Sequence, residues 1–243
     1  MFPEPSIALL IVAIVVVLGS LVQAGVGFGM GLVASPALVL CYPELMPGAM
    51  IMLGGATSVA VLAAQWRSLD LTGVGWAVLG RLPGLVLGAW LVVAASADLM
   101  GVLVGVAVIV AVLLQASGLT IAKTRSTLLA AGFVSGTTGT VSGIGGPPVA
   151  MLYANQPGAV VRASLAAYFI VATATSLLAL GAVGEVSAQQ LGLALVLLPM
   201  LILGNVLARP LARFLDSGHT RRAILSVAGI AGVLLVLTTL LGT

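Results

Sequence analysis

The sequence predicts an all-α polytopic membrane protein with two inverted repeats, each made of a broken or re-entrant helical segment and three transmembrane helices. Of the 243 residues, 61% are hydrophobic and only 6% are charged, whereas soluble domains carry about 25% charged residues. The mean hydropathy is +1.29, and the long apolar runs do not alternate with polar residues as the strands of a membrane barrel do. The same order of elements also occurs twice along the chain.

In the first half, a glycine-rich break at Gly25–Gly31 interrupts an apolar stretch. Glycine lowers helix stability, and Pro36 follows shortly after. No basic segment precedes the first apolar run, so we expect a retained helix there and not a cleaved signal peptide. The helical runs predicted in this half are Ile7–Val22, Leu32–Cys41, Ala49–Ala64, Val74–Ala95 and Leu99–Gln115.

The second half repeats this order. The segment Gly139–Pro148 interrupts the apolar stretch Leu128–Ala154, and its adjacent prolines do not allow an uninterrupted helix. Three helical runs follow, with a basic connection predicted at Arg209–Arg222 between the last two: Ala163–Leu180, Leu191–Ala208 and Ala223–Leu241. We therefore expect a first repeat at residues 1–117, a cytoplasmic connection at 118–126 and a second repeat at 127–243.

Short sequence matches relate the two halves. Leu82–Gly88 and Leu198–Gly204 share the pattern Leu-Pro-x4-Gly, and Ala56-Thr57-Ser58 matches Ala174-Thr175-Ser176. Because these matches occur in the same order in both halves, chance similarity in a biased composition is a poor explanation.

The distribution of charge predicts that the repeats are inverted. If both broken segments enter and leave on one side, all the basic loops fall on one face of the membrane and the acidic ones on the other. An excess of Lys and Arg marks the cytoplasmic face. The basic group is Arg67, Lys123, Arg125, Arg162 and Arg209–Arg222, and the acidic group is Glu4, Glu44, Asp98 and Glu185. Whether Ile7–Val22 spans alone is left open.

The two broken segments are the candidate binding site. Non-helical backbone at membrane depth must be buried in protein or line a cavity, and transporters with inverted repeats direct broken helices at anionic groups. The alternative is that the glycines only allow tight helix packing. The candidate residues of the first segment are Gly27, Gly29, Gly31, Ser35 and Pro36; those of the second are Thr140, Ser142, Gly143, Gly145, Gly146 and Pro147.

Arg81 is the only basic residue inside an apolar run. A charge at depth is costly and suggests a function, here the binding of an anion. The alternative is a side chain that reaches back to the cytoplasmic surface. No Asp or Glu occupies a helix core, which argues against a cation pathway. No metal ligand cluster, cofactor motif or nucleic-acid-binding pattern is present, so we expect none of these.

At these residues the chain resembles the sulfite exporter TauE/SafE family of bacterial membrane proteins. The resemblance is carried by Gly25–Pro36, by Gly143-Ile144-Gly145-Gly146-Pro147-Pro148, and by the Pro-x4-Gly helices at Pro83–Gly88 and Pro199–Gly204. It covers nearly the whole chain. The resemblance implies movement of sulfite or organosulfonates across the bacterial inner membrane.

The sequence as a whole predicts a secondary transporter that holds a small anion between two broken helices and works by alternating access. An anion channel and a non-transporting membrane subunit are the alternatives. An enzyme is not expected, because a serine protease at Ser142 would need a base, and no His lies in a predicted membrane segment. The expected partners are a small anion and membrane lipid, and homo-oligomerisation is left open.

Overall fold

The apolar runs form helices, which satisfy their own backbone hydrogen bonds without water. The computed structural model describes residues 7–215 and 218–241. Within these ranges the chain holds ten α-helices, two short 3-10 turns and no strand. The helices are α1 (Ile7–Val26), α2 (Met30–Cys41), α3 (Gly48–Gln65), α4 (Leu71–Ala94), α5 (Ala97–Ala116), α6 (Arg125–Ser142), α7 (Gly146–Leu152), α8 (Gly158–Ala182), α9 (Ala188–Leu215) and α10 (Gly218–Leu241).

Six stretches among the described residues are long and apolar enough to cross a membrane. A span needs about 20 apolar residues, and α2 and α7 are far shorter. The prediction of an all-α polytopic membrane protein is therefore confirmed. The six stretches are Ile7–Val26, Gly48–Ser68, Leu71–Ala94, Asp98–Ala116, Gly158–Ala182 and Ala188–Ala208.

Several predicted boundaries differ from the structure, and two of the differences concern the second break and the last connection. The second break was placed from Gly139, but α6 continues to Ser142 and only three residues separate it from α7. The connection predicted over Arg209–Arg222 was wrong, because α9 continues through Pro210 to Leu215 and α10 begins at Gly218. Arg, Leu and Ala are good helix formers, so basic charge did not mark a loop. Glu4 lies outside the described residues.

Two seams of close helix packing join the two halves of the chain, and the seam of α4 with α6 places Arg81 in the interior. In α4, Gly80 and Gly84 lie against the backbone of α6, where a Cβ would overlap the carbonyl oxygens of Leu129 and Phe133. Gly204 in α9 lies in the same way against α1. Small residues allow such close approach in membrane helices. For these glycines, therefore, tight packing is the observed role. Helices α3 and α8 pack together, as do α5 and α10.

At one end of the bundle, Asp70 joins the start of α4, the end of α7 and the first turns of α8 to the central connection. Its Oδ1 accepts a hydrogen bond from the Gly73 N–H (3.0 Å), and its Oδ2 accepts from Lys123 Nζ (2.9 Å) and the Tyr153 hydroxyl (3.0 Å). Its backbone N–H donates to Ser164 Oγ. Partial burial raises the pKa of Asp70, but these hydrogen bonds and the Lys123 charge together bring the pKa below its ordinary value.

The same end also carries Arg162, whose Nε donates to Gln65 Oε1 (3.1 Å). At the opposite end, Val186 packs with residues that begin α3 and end α4, and the Gln190 side chain reaches the Met46 carbonyl (3.5 Å). The connections with Arg67, Lys123, Arg125 and Arg162 thus lie at one end, and those with Glu44, Asp98 and Glu185 at the other.

Candidate functional site

The two broken segments are in direct contact at the centre of the bundle. Ser35 Oγ donates a hydrogen bond to the carbonyl oxygen of Ser142 (2.8 Å). A Cβ on Gly31 would overlap the carbonyl oxygen of Gly143, the residue that ends α6 with a left-handed φ of 72°. Only glycine adopts that conformation without strain. The chain therefore brings the two predicted segments together.

The predicted hydroxyl donors mostly hold the backbone in place. Ser142 Oγ donates to the Thr138 carbonyl (2.7 Å) and accepts from the Ile144 N–H (3.3 Å). Ser35 is committed to Ser142. Thr140 is fully buried and shares a hydrogen bond with Ser176 Oγ (2.9 Å). Thr140 alone of the three lies next to a charged group.

That group is the guanidinium of Arg81. Arg81 is 1% exposed, so its side chain does not reach the surface and the alternative of snorkelling is wrong. It extends from α4 to α6 and α8. Nε donates to Thr175 Oγ1 (3.4 Å), Nη1 donates to the Ser135 carbonyl (3.2 Å), and Nη2 donates to the Ala172 carbonyl (3.2 Å), Thr140 Oγ1 (3.5 Å) and Ser176 Oγ.

The charge of Arg81 has no acidic partner among the described residues, where the one ion pair is Lys123–Asp70. Carbonyl and hydroxyl oxygens solvate the guanidinium, and the Tyr168 ring lies 6.0 Å from its carbon. Nη1 carries two hydrogens, and one hydrogen bond from it, to Ser135, is formed within the described part of the chain. Burying a charge is costly unless it is paired, so an anion would be a favourable partner.

A cavity of about 40 Å³ lies beside this guanidinium. It has room for about three water molecules at roughly 10–15 Å³ each. Of the predicted site residues, Arg81 and Gly145 line it. The lining residues are Gln23, Met50, Ile51, Gly54, Arg81, Gly139, Gly145, Phe169, Ala172, Thr173 and Ser176.

A family model described as "Sulfite exporter TauE/SafE" matches residues 11–235. The chain belongs to the sulfite exporter TauE/SafE family. It is therefore a multi-pass membrane protein of a family that transports sulfur anions, with a small anionic substrate. Neither a curated protein nor a solved structure matches the chain.

The predicted site of this TauE/SafE protein lacked two residues: Gln23, which lines the cavity, and Ser135, whose carbonyl accepts a hydrogen bond from Arg81. Gln23 lies just after the predicted helix Ile7–Val22 and was assigned no role, although a polar residue just before a break in an apolar helix was a usable signal. Ser135 had no such signal. Its Oγ donates to the Gly145 carbonyl and accepts from the Tyr168 hydroxyl (2.7 Å), which fixes the second break against α6 and α8.

The other predicted site residues shape the breaks around the cavity. Gly27 and Gly29 have φ of 102° and 131° and reverse the chain between α1 and α2, and Pro36 is buried inside α2. Gly146 packs against Phe28. Pro147 is the second residue of α7 and has no N–H, so it offers an anion no backbone donor. A direct contact between these five residues and substrate remains a prediction.

A second, larger cavity of about 150 Å³ lies toward the end of the bundle that carries the basic connections. Arg162 lines it, with its Nη1 donating to the Gly25 carbonyl (3.4 Å). We call the smaller cavity beside Arg81 the inner cavity and this larger one the outer cavity. Along α1, Gln23 lines the inner cavity, and the next two residues line the outer cavity. The lining residues are Ala24, Gly25, Ala60, Val61, Ala64, Gln65, Arg162, Asn205 and Ala208.

Proposed function

We propose that this protein is a secondary transporter that moves sulfite or a small organosulfonate across the bacterial inner membrane by alternating access. The anion binds in the inner cavity, next to Arg81. The observation that carries the proposal is the position of Arg81, which is 1% exposed, has no acidic partner among the described residues and lines a cavity of about 40 Å³.

The chemistry of the cavity suits an oxyanion of sulfur. Burial strengthens electrostatic attraction, because the local dielectric constant is low. A sulfonate group presents oxygens that accept hydrogen bonds from a guanidinium, and charge-assisted hydrogen bonds of this kind are the strong ones. Gly139 and Gly145 leave space next to the guanidinium, since a Cβ on Gly139 would lie 3.4 Å from Nη1.

The paired packing of the helices supports an inverted repeat at residues 1–117 and 127–243. If α1 to α5 correspond to α6 to α10, the seam of α4 with α6 corresponds to that of α9 with α1, and α3–α8 and α5–α10 are self-matching pairs. The separation of basic and acidic connections to opposite ends supports the same arrangement, with the basic end cytoplasmic. Such repeats bind substrate at their interface and open alternately to each side.

The relation between the two cavities favours a carrier over a channel. Gln23 donates hydrogen bonds to the Gly54 carbonyl (2.8 Å) and to Ser58 Oγ (2.9 Å), which joins α1 to α3 where the inner and outer cavities approach each other. The outer cavity with Arg162 then serves as the vestibule on the cytoplasmic side. A channel would need these cavities to be continuous in its open state.

The experiment is transport by the purified protein in proteoliposomes, with sulfite, methanesulfonate and acetate as external anions. We expect saturable uptake of the two sulfur anions and little uptake of acetate. Internal methanesulfonate should accelerate uptake, because a loaded carrier returns faster than an empty one. Flux that neither saturates nor responds to internal anion would indicate a channel. Absence of flux for both sulfur anions in folded protein would overturn the proposal.

A further inference from the structure

We infer that Gln23 keeps the second polar position of the inner cavity neutral, and that the cavity, with the single positive charge of Arg81, selects singly charged sulfur oxyanions over doubly charged ones. The inference rests on the proposed function of the inner cavity. Both side chains line that cavity, and both are buried, with 1% of Arg81 and 4% of Gln23 exposed.

The two side chains bind equivalent groups in the two halves of the chain. Gln23 Nε2 donates to the Gly54 carbonyl and to Ser58 Oγ, and Arg81 Nη2 donates to the Ala172 carbonyl and to Ser176 Oγ. In each case a carbonyl is followed four residues later by a serine. The match of residues 56–58 with 174–176 makes these the same positions in α3 and α8.

Gln23 and Arg81 bind equivalent groups, so the difference between their charges is informative. A guanidinium always carries a positive charge, whereas a carboxamide is neutral and has both donor and acceptor atoms. The other lining residues are aliphatic, aromatic, hydroxyl-bearing or glycine. The lining therefore carries one positive charge, and no titratable side chain in it changes that number near neutral pH.

A cavity whose polar side chains are buried and carry one positive charge is best matched by one negative charge. A monoanion on Arg81 leaves a neutral site, while a dianion leaves one negative charge without a partner in a medium of low dielectric constant, which is strongly unfavourable. Gln23 adds no second charge, because its carboxamide is neutral and both hydrogens of Nε2 are donated to the Gly54 carbonyl and Ser58 Oγ. The substrates that fit are alkylsulfonates and hydrogensulfite, and sulfate is disfavoured.

The test compares methanesulfonate and sulfate, two tetrahedral anions with five heavy atoms each and fixed charges of −1 and −2 near neutral pH. Both compete with labelled methanesulfonate for uptake by the wild-type protein in proteoliposomes. We expect methanesulfonate to compete at least about tenfold better, equal to about 1.4 kcal/mol. Equal competition in a protein that transports methanesulfonate overturns this inference and leaves the proposed function standing. Absence of transport for every anion overturns both.

The Gln23→Lys variant then tests the residue itself. It adds one positive charge to the lining, so we expect the ratio of methanesulfonate to sulfate affinity to fall by about tenfold or more. Ser58→Ala is the matched control, since it removes a partner of Gln23 without altering charge and is expected to leave the ratio unchanged. A ratio in folded Gln23→Lys equal to that of the wild type overturns the role of Gln23. If the variant does not fold, the wild-type ratio still decides the charge preference.

Discussion

The two sides of the inner cavity are built alike but carry different polar groups. On the side of the cavity next to α8, α4 contributes Arg81. The matching position in α9, from the alignment of Leu-Pro-x4-Gly, is Leu197, which is buried in the apolar core at 1% exposure. On the side of the cavity next to α3, α1 contributes Gln23, and the matching position in α6 is Gly139.

The match between Gln23 and Gly139 follows from the way the two helices end. The N–H of Gly27 donates to the Gln23 carbonyl (2.8 Å), and the N–H of Gly143 donates to the Gly139 carbonyl (3.0 Å). Both terminal glycines have a left-handed φ. The first repeat therefore supplies both polar side chains, one to each seam, and the second repeat has glycine and leucine at the corresponding positions.

This comparison teaches how a symmetric scaffold acquires a site with a single charge. The hydrogen-bond acceptors on α3 and α8 are equivalent, and so are the close packing of α4 with α6 and of α9 with α1. The repeated sequence therefore forms both sides of the cavity. Two departures from the repeat, Arg81 in place of Leu and Gln23 in place of Gly, decide which anion fits. Predictions about this protein therefore concern the differences between the two sides.

The largest effect is expected from Arg81→Gln, which gives both sides a carboxamide and leaves the cavity neutral. Removing one member of a buried charge pair costs about 2–5 kcal/mol. We therefore expect the transport efficiency for methanesulfonate in proteoliposomes to fall by at least about 30-fold.

Arg81→Lys is the control for charge, and it should retain more transport than the glutamine variant. It keeps the positive charge but cannot reach α6 and α8 with a planar fork. Equal transport by Arg81→Gln and wild type would show that the charge stabilises the fold and not the substrate.

A smaller effect is expected from Gly139→Ala, which places a side chain where Gln23 has one in the other repeat. The added Cβ would lie 3.2 Å from Gly145 Cα and 3.4 Å from Arg81 Nη1, inside the cavity. We expect about a three- to tenfold weaker apparent affinity for methanesulfonate, because a methyl group takes about the volume of one water molecule. Gly75→Ala is the matched control in α4, since a Cβ there meets nothing within 4 Å. Unchanged affinity in Gly139→Ala would indicate that the substrate binds in a part of the cavity away from Gly139.

Long sequence patterns predict the structure of this protein better than single residues do. Apolar runs of span length predict the helices of the bundle, because lipid allows no other way to satisfy the backbone. The breaks are predictable to within a few residues from Gly and Pro. The hydrogen-bond partners of Gln23 and Ser135 were not predictable, because they lie 31 and ten positions away in the chain.

Arg81 was identified from the sequence as a candidate, but the direction of its side chain was not. Its position in an apolar run identified it as unusual, but both a surface-reaching and a buried side chain were compatible with its distance from the helix start. The seam of α4 with α6 decides between them, since Gly80 and Gly84 bring the backbones together on either side of it. That seam depends on pairing between the two halves, which the sequence shows only as a repeat.

The smallest effects are expected from the equivalent serines, Ser176→Ala and Ser58→Ala. Ser176 accepts a hydrogen bond from a charged group, and Ser58 from a neutral one. Hydrogen bonds to charged groups contribute about 1.5–3 kcal/mol and neutral ones about 0.5–1.5 kcal/mol, although Arg81 keeps the Ala172 carbonyl as an alternative acceptor. We therefore expect the apparent KM for methanesulfonate to rise about tenfold in Ser176→Ala and about threefold in Ser58→Ala. An equal or larger rise in Ser58→Ala would mean that the side with Gln23, and not the side with Arg81, dominates binding.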